Sequence, residues 1–466
     1  MLTARQLAII EELTGKKAGV LGIGWRSGVP LIRFLHSIGC QVMACDQKEA
    51  EQLSQELAAL QDIPLELHLG SDYLKHLDGC QFLFRTPFMR PDLPELKQAV
   101  AAGARLSSEI ELLFALAAAP IAGITGSDGK TTTTTLVAEM LKADGREVHL
   151  GGNIGYSLIE EVLSIPATAE IVLELSSFQL MQMQVSPGAS IVTNLSPNHL
   201  DYHTSLAEYQ DVKTNVLRWQ KPQDVAVLNY DDELTRGFAS LTPGYVCYFS
   251  RQSTVTEGAF LQDQQIILRR DGQDRVLCHI NEIQLLGDHN IENVMAAAAL
   301  CQAKGVSLAA MRQVATSFTG VEHRLELVRE LHGVRYYNDS IASSPTRTCA
   351  GLAALPYPVV LIAGGYDKKI PFEPLAQAVV GRVDALALIG QTAPAIAQAV
   401  ERELEKQEAT MPMEQFSSLR DALLWAQQQA RAGSAVVLSP ACASFDMFRD
   451  FEERGRVFKQ LVNELD

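Results

Sequence analysis

The segment Gly123-Ile-Thr-Gly126-Ser-Asp-Gly129-Lys130-Thr131-Thr132 lies between an apolar run, Pro120-Ile121-Ala122, and a stretch with helical periodicity from Thr133 to Leu141. Strand, glycine-rich turn and helix in that order commit the middle of the chain to an α/β layer. Backbone N–H groups at such a turn, together with the positive end of the helix dipole, form an anion site. Lys130 can reach the outer phosphates of a nucleoside triphosphate, and the Thr131 hydroxyl can bind magnesium. The common P-loop spacing would place a glycine where Ile124 stands, so this is a variant with its glycines three apart. A Gly-Lys-Thr tripeptide alone is common. The flanking strand and helix give it meaning, and they make Gly126, Ser127, Asp128, Gly129, Lys130, Thr131 and Thr132 the expected phosphate-binding residues.

Elsewhere the chain alternates buried strands with helices. Lys17 to Gly24 reads as a strand entering a glycine turn, 30–38 as a helix and 41–46 as the next strand, with another at 82–87. After the phosphate loop come strands at 171–175, 190–194 and 225–229, a helix at 206–218 and another from Asn290 through Ala299. The stretch from about 245 to 285 has short alternating runs and reads as a small antiparallel excursion. From Val321 onward, strands at 334–338, 359–363, 385–389 and 435–439 alternate with helices. The expectation is an α/β protein of three domains, in keeping with its 466 residues. These are a Rossmann-like N-terminal domain at 1–119, a central P-loop ATPase-like domain at 120–320, and a C-terminal Rossmann-like α/β domain at 321–466. Ligands in such sheets gather at the carboxyl ends of the strands.

Composition narrows the partners. With 47% hydrophobic and 20% charged residues the chain can bury a substantial core. A net charge of −16 argues against nucleic acid or an anionic membrane as the main partner. No apolar run is long enough to span a bilayer, and the opening Met1-Leu2-Thr3-Ala4-Arg5 does not read as a signal peptide. The eight cysteines are scattered singly, which suits free thiols in a cytoplasmic protein and not a zinc site.

A few polar residues stand out. Glu174 ends an apolar strand, where a carboxylate needs a partner, and magnesium beside a triphosphate would be one. As an exposed strand-end glutamate it would need none. His199 and His203 flank Asp201 just beyond the strand 190–194, a position where α/β sites gather, although a lone histidine is usually structural. Lys213 on the helix 206–218 reads, by residue type alone, as a solvated surface group. Gly22-x-Gly24-x-x-x-Gly28 followed by Asp46 is similar to a dinucleotide fingerprint with one residue too many. It fits the sugar and diphosphate of a nucleotide.

Taken together, these blocks resemble the Mur ligases, and within them the branch that adds D-glutamate. Besides the phosphate loop, the resemblance is carried by Gly151-Gly-Asn-Ile-Gly155, Leu173-Glu-Leu-Ser-Ser-Phe-Gln179, Asn198-His-Leu-Asp201, Gly287-Asp-His-Asn290, His323-Arg324, Asn338-Asp-Ser340 and Ser439-Pro-Ala-Cys-Ala-Ser444, in the family's order over nearly the whole chain. The resemblance implies an ATP-dependent amide ligase with magnesium, acting in peptidoglycan synthesis on UDP-N-acetylmuramoyl-L-alanine and D-glutamate as a cytoplasmic monomer. It implies metal ligation by Thr131, Glu174, His199 and a carbamylated Lys213, and catalysis by Lys130, Glu174, His199 and Lys213. Asn290, Asn293, Arg324 and Asp339 would reach the rest of ATP. Gly24, Trp25, Arg26, Asp46, Gln47 and Lys48 would hold the uridine diphosphate, with Asn153 and Ser176 on the muramoyl-alanine arm. Ser343, Lys368, Ser444 and Phe451 would surround glutamate.

Three positions depart from the family pattern: Asp128 stands where asparagine is usual, Phe88 where a glycine is expected, and Ile341 where a lysine is common. Three other readings compete. Folylpolyglutamate synthase lacks a leading domain like 1–119, a dehydrogenase using the 22–46 fingerprint would leave Lys130 and Glu174 without purpose, and a non-catalytic assembly subunit would not need Lys130, Glu174, His199 and Lys213.

Overall fold

The computed structural model describes residues 2–196, 202–285, 287–368 and 370–466. The chain forms two compact units, one made of Met1–Ile283 with Asp288–Ser317 and the other of Gln284–Gly287 with Phe318–Asp466.

The first unit contains two sheets. The N-terminal one has five parallel strands in the spatial order Glu66–Leu69, Gln41–Asp46, Lys17–Leu21, Phe82–Arg85, Arg105–Ser108. The chain builds outward from Lys17–Leu21 on one side, then crosses to its other side. The switch of direction therefore falls between Lys17–Leu21 and Phe82–Arg85, where the loops at the strand ends diverge and leave a crevice. The strand 41–46 lies where the sequence placed it. The edge strands Glu66–Leu69 and Arg105–Ser108 were not foreseen, because both are polar and only partly buried.

The second sheet of this unit has nine strands, in the order Gln273–His279, Gln265–Arg270, Gly258–Gln262, Tyr245–Ser250, Val225–Asn229, Ala189–Val192, Ile121–Thr125, Glu170–Glu174, Val148–Gly152. The run from Val148–Gly152 to Gly258–Gln262 is parallel, and only the last two strands are antiparallel. The segment 245–285 thus extends the central sheet, and half of it is parallel where an antiparallel excursion was expected. Period-two alternation tells which face a residue occupies but not the direction of its neighbour.

Ile121–Thr125 lies inside this sheet, with Glu170–Glu174 on one side and Ala189–Val192 on the other, so three strands end around the phosphate loop. The helix Lys130–Ala143 packs on Asp288–Ala303, whose buried run Ala296–Ala299 allows close approach. The expected helix 206–218 is two pieces, Leu206–Lys213 and Asn215–Arg218, with Thr214 bonding back to the Asp211 carbonyl at the break.

The second unit has one six-stranded sheet, ordered Glu326–Leu331, Val334–Asn338, Ala435–Leu438, Val359–Gly364, Val383–Ile389, Met413–Phe416. It is parallel apart from Glu326–Leu331, an antiparallel edge strand on Val334–Asn338. All eight cysteines are free and seven are buried, in keeping with the sequence reading.

Candidate active site

The phosphate loop owes its shape to two glycines. Gly126 (φ 144°) and Gly129 (φ 76°) lie in backbone regions that side chains avoid, and a Cβ at either would collide, with Thr193 Oγ1 or Asn293 Oδ1 respectively. The next strand clamps the loop. The Asp128 amide donates to Asn194 Oδ1 (2.9 Å), while its carbonyl accepts from Thr193 Oγ1 (2.6 Å) and Asn194 Nδ2 (3.2 Å). The loop is held by the main chain of Asp128, and among the described residues its carboxylate accepts only from Ser196 Oγ, at 3.4 Å. An aspartate thus fits where asparagine is usual. Lys130 folds back over the turn, its Nζ donating to the carbonyls of Gly126 (3.0 Å) and Ser127 (2.7 Å).

Glu174, 2% exposed, accepts from Thr131 Oγ1 (2.7 Å) on one oxygen and from Asn153 Nδ2 (2.7 Å) on the other. Two hard oxygens, a hydroxyl and a carboxylate, therefore sit side by side at the opening of the phosphate-loop helix. Lys213 is equally buried at 2% exposure, which rules out the surface role its residue type suggested. Its Nζ donates to the Gly126 carbonyl (2.8 Å) and Thr125 Oγ1 (3.3 Å) and lies 4.9 Å from the centre of the Tyr209 ring. Burial pulls its pKa well below the ordinary lysine value, and the Lys130 charge pushes the same way. Tyr209, one turn earlier on the helix, hydrogen-bonds Ser127 Oγ (2.8 Å), so one helix fixes both the lysine and the loop. Asn293 is buried against the loop from behind and accepts from Thr133 Oγ1 (3.1 Å), with Asn290 accepting from its Nδ2 (2.9 Å). Ser176 caps the short helix Ser177–Leu180. His199 lies outside the described residues.

In the N-terminal sheet, Asp46 receives the Ile23 amide (2.8 Å) on one oxygen and the Lys48 amide (3.0 Å) on the other. It therefore ties the glycine turn at 22–28 to its own strand end. Gly28 must be glycine, because a Cβ would collide with the Gly22 carbonyl. Gly24, Trp25, Arg26, Gln47 and Lys48 lie on these two adjacent loops, the first of which borders the switch point of the sheet.

In the second unit, Asp339 is buried, accepting from Ser439 Oγ (2.7 Å) and the Leu325 amide (3.2 Å), and burial raises its pKa to about 7. It thereby braces the turn that carries Arg324, in which His323 and Leu325 both have positive φ. Lys368 donates to the Ser343 carbonyl (3.1 Å) and Oγ (3.3 Å), which brings two of the expected glutamate residues together. Nearby, Arg454 ties the Ser340 turn to the 442–443 loop that leads into Ser444. This arginine is 1% exposed and spends its five N–H donors on neutral oxygens: Ser340 Oγ and carbonyl, the Cys442 carbonyl twice, and the Ala443 carbonyl. Ser340 Oγ in turn donates to the Phe451 carbonyl (2.8 Å).

Residues 124–301 match the profile of the Mur ligase middle domain, and residues 323–442 match that of the Mur ligase glutamate ligase domain. The chain is 46% identical to the UDP-N-acetylmuramoylalanine–D-glutamate ligase of Acetivibrio thermocellus, with 98% of each chain covered. It is 47% identical to the enzyme of that name from Symbiobacterium thermophilum, with 97% of this chain and 98% of the relative covered. The chain belongs to the Mur ligase family. Its fold is shared with the UDP-N-acetylmuramate–alanine ligase of Thermotoga maritima, at a TM-score of 0.58 and 19% identity, covering 96% of this chain and 99% of that one. The UDP-N-acetylmuramoylalanyl-D-glutamyl-2,6-diaminopimelate–D-alanyl-D-alanyl ligase of Acinetobacter baumannii has a TM-score of 0.55 at 15% identity, with 99% of this chain and 98% of that one covered.

Sequence reasoning missed several residues that build these sites in this Mur ligase. Thr193 and Asn194 clamp the phosphate loop, and Arg454 holds the Ser340 turn and the 442–443 loop together. Arg85, 2% exposed, donates to the carbonyls of Pro87 (3.1 Å), Met89 (2.8 Å) and Phe178 (3.1 Å) and, among the described residues, has no carboxylate within bonding distance. A buried arginine on a strand or helix carries no sequence signal beyond its type, which is normally exposed. Asp46 yields a direct prediction. Asp46→Ala would orphan two amides that shape the glycine turn and its neighbouring strand end, at a cost of about 1–3 kcal/mol in stability. Its KM for the UDP-linked substrate should rise more than its KM for ATP. An unchanged value for the UDP substrate, or a shift in ATP affinity alone, would show the first sheet to be misread.

Proposed function

We propose that this chain ligates D-glutamate to UDP-N-acetylmuramoyl-L-alanine at the expense of ATP, through an acyl phosphate. The observation that carries the reading is the grouping of Lys130, Thr131, Glu174 and Lys213 at one strand-loop-helix junction, in a chain whose relatives of that name match it end to end. The alanyl carboxylate attacks the γ-phosphorus and ADP leaves. The glutamate amine then attacks the acyl phosphate carbon, and the tetrahedral intermediate expels phosphate. Lys130 offsets the charge that builds on the phosphoryl oxygens, and the amides of the glycine turn hold the phosphates.

Thr131 and Glu174 are adjacent hard-oxygen donors of the kind magnesium prefers, so they fit that ion, and a carbamate on Lys213 would add a third. Magnesium bound there would act as a Lewis acid on the phosphoryl oxygens. We assign the uridine diphosphate to the loops at 22–28 and 46–48, ATP to the central sheet with Asn290, Asn293, Arg324 and Asp339, and glutamate to Ser343, Lys368, Ser444 and Phe451. The three domains are 1–119, 120–320 and 321–466, and the enzyme works as a cytoplasmic monomer. None of the described helices is long and apolar enough to cross a membrane.

The deciding measurement is phosphate release from ATP with UDP-N-acetylmuramoyl-L-alanine and each enantiomer of glutamate. Turnover with the D form alone is expected, and no stimulation by either would overturn the reading. Lys368→Ala should raise the KM for glutamate by about tenfold or more, because a carboxylate loses a charge-assisted hydrogen bond. The KM values for ATP and the UDP substrate should stay put. A glutamate titration that shows no weakening would place the carboxylate elsewhere.

A further inference from the structure

Phe88 occupies the loop after the strand Phe82–Arg85 and is 71% exposed, yet the loop beneath it is held by several hydrogen bonds. Arg85 Nη1 donates to the carbonyls of Thr86 (3.3 Å), Pro87 (3.1 Å) and Met89 (2.8 Å), and Tyr202 OH donates to that of Pro87 (3.2 Å). Met89, next in sequence, is buried. One side of the Phe88 ring rests on Phe178, at 4.8 Å between centroids and 41° between planes, and Phe178 is buried. A rigid loop thus holds a large apolar ring in water with one side backed by another ring. Packing alone does not call for this, since a smaller side chain would leave the Arg85 contacts intact.

The position of the ring explains it. Its loop lies beside the glycine turn at the switch point, where a Cβ on Gly22 would touch Thr86, and Phe178 follows Glu174 by four residues. Phe88 therefore lies on a loop next to the crevice of the first sheet and, through its contact with Phe178, beside the segment that follows Glu174 in the second. A donor with its nucleoside diphosphate in that crevice and its reacting carboxylate at the Thr131–Glu174 pair must lay its hexose across the interval.

We propose that the open side of Phe88 is a stacking platform for the apolar C–H face of that N-acetylated hexose, and that it discriminates the sugar-linked nucleotide from the bare one. Aromatic rings present a wide apolar surface at little cost in side-chain freedom. The inference rests on the assignment of the UDP-linked substrate to this unit.

Calorimetric titration with UDP and with UDP-N-acetylmuramoyl-L-alanine tests it without turnover. Phe88→Ala should weaken the sugar-linked ligand about tenfold and UDP less than twofold, a loss typical of one ring contact. Phe88→Tyr should keep wild-type affinity for both, and both variants should melt like the wild type. Unchanged affinity in Phe88→Ala, or equal losses for the two ligands, would overturn the platform while leaving the nucleotide assignment standing. Wild-type protein that binds neither ligand would overturn the assignment itself, and the platform with it.

Discussion

Lys130→Ala is expected to abolish ligation while leaving the fold intact. In the structure the ammonium rests on the Gly126 and Ser127 carbonyls, so it waits at the turn where phosphate oxygens would come to lie. Phosphoryl transfer leaves little covalent chemistry to the protein and depends on positioning and on charge neutralisation. Removing one preorganised donor costs about 10²–10³ in kcat in other enzymes, and a full positive charge should cost at least the upper end of that range. The fold should survive, since Thr193, Asn194 and Asn293 hold the loop without help from this side chain. Phosphate release and a thermal melt on the same preparation check both halves. Near-normal turnover in a properly folded variant would remove the loop from the mechanism.

The loop was legible because its chemistry is written in consecutive residues. Glycines at 126 and 129 are required by backbone angle and close approach, and Lys130 and Thr131 open the helix that follows. Glu174 was legible for a different reason, as a carboxylate on an apolar strand that needs a partner. The structure supplies Thr131 and Asn153. The long-range partners were not legible. Nothing in the sequence tells that Thr193 and Asn194 clamp a loop 65 residues away, or that Arg454 reaches back to Ser340. Pairing direction in the segment 245–285 escaped for the same reason, since register and direction depend on what lies alongside. Asp128 and Phe88, departures from the family pattern, are accommodated locally. The loop uses the main chain of Asp128, and the ring of Phe88 finds Phe178.

Lys213 shows most clearly what residue type alone conceals. A helix lysine reads as a surface group, yet this one is buried among Thr125, Gly126 and Tyr209, close enough to Lys130 for the two charges to oppose each other. Both effects favour the neutral amine. Because the folded-state pKa is depressed, an unmodified Lys213 costs no stability above the ordinary lysine pKa. The penalty accumulates as pH falls from there through the folded-state value, so it is present at neutral pH. A neutral amine is also the form that attacks carbon dioxide, releasing one proton and leaving a carbamate anion. The sign of the site is then reversed, with Lys130 attracted instead of repelled and with oxygens that suit magnesium. We therefore expect a carbamate on Lys213 in a high-resolution structure with nucleotide and magnesium. Lys213→Ala should be nearly inactive, falling by about 10²-fold or more, as expected for the loss of a preorganised charge. Lys213→Met, which keeps the buried volume, should fold normally and be equally inactive. Formate or acetate should partly restore Lys213→Ala by filling the anionic position, and should do nothing for Lys130→Ala. Full activity of Lys213→Ala, or an unmodified Lys213 turned to solvent in the liganded structure, would sink the idea.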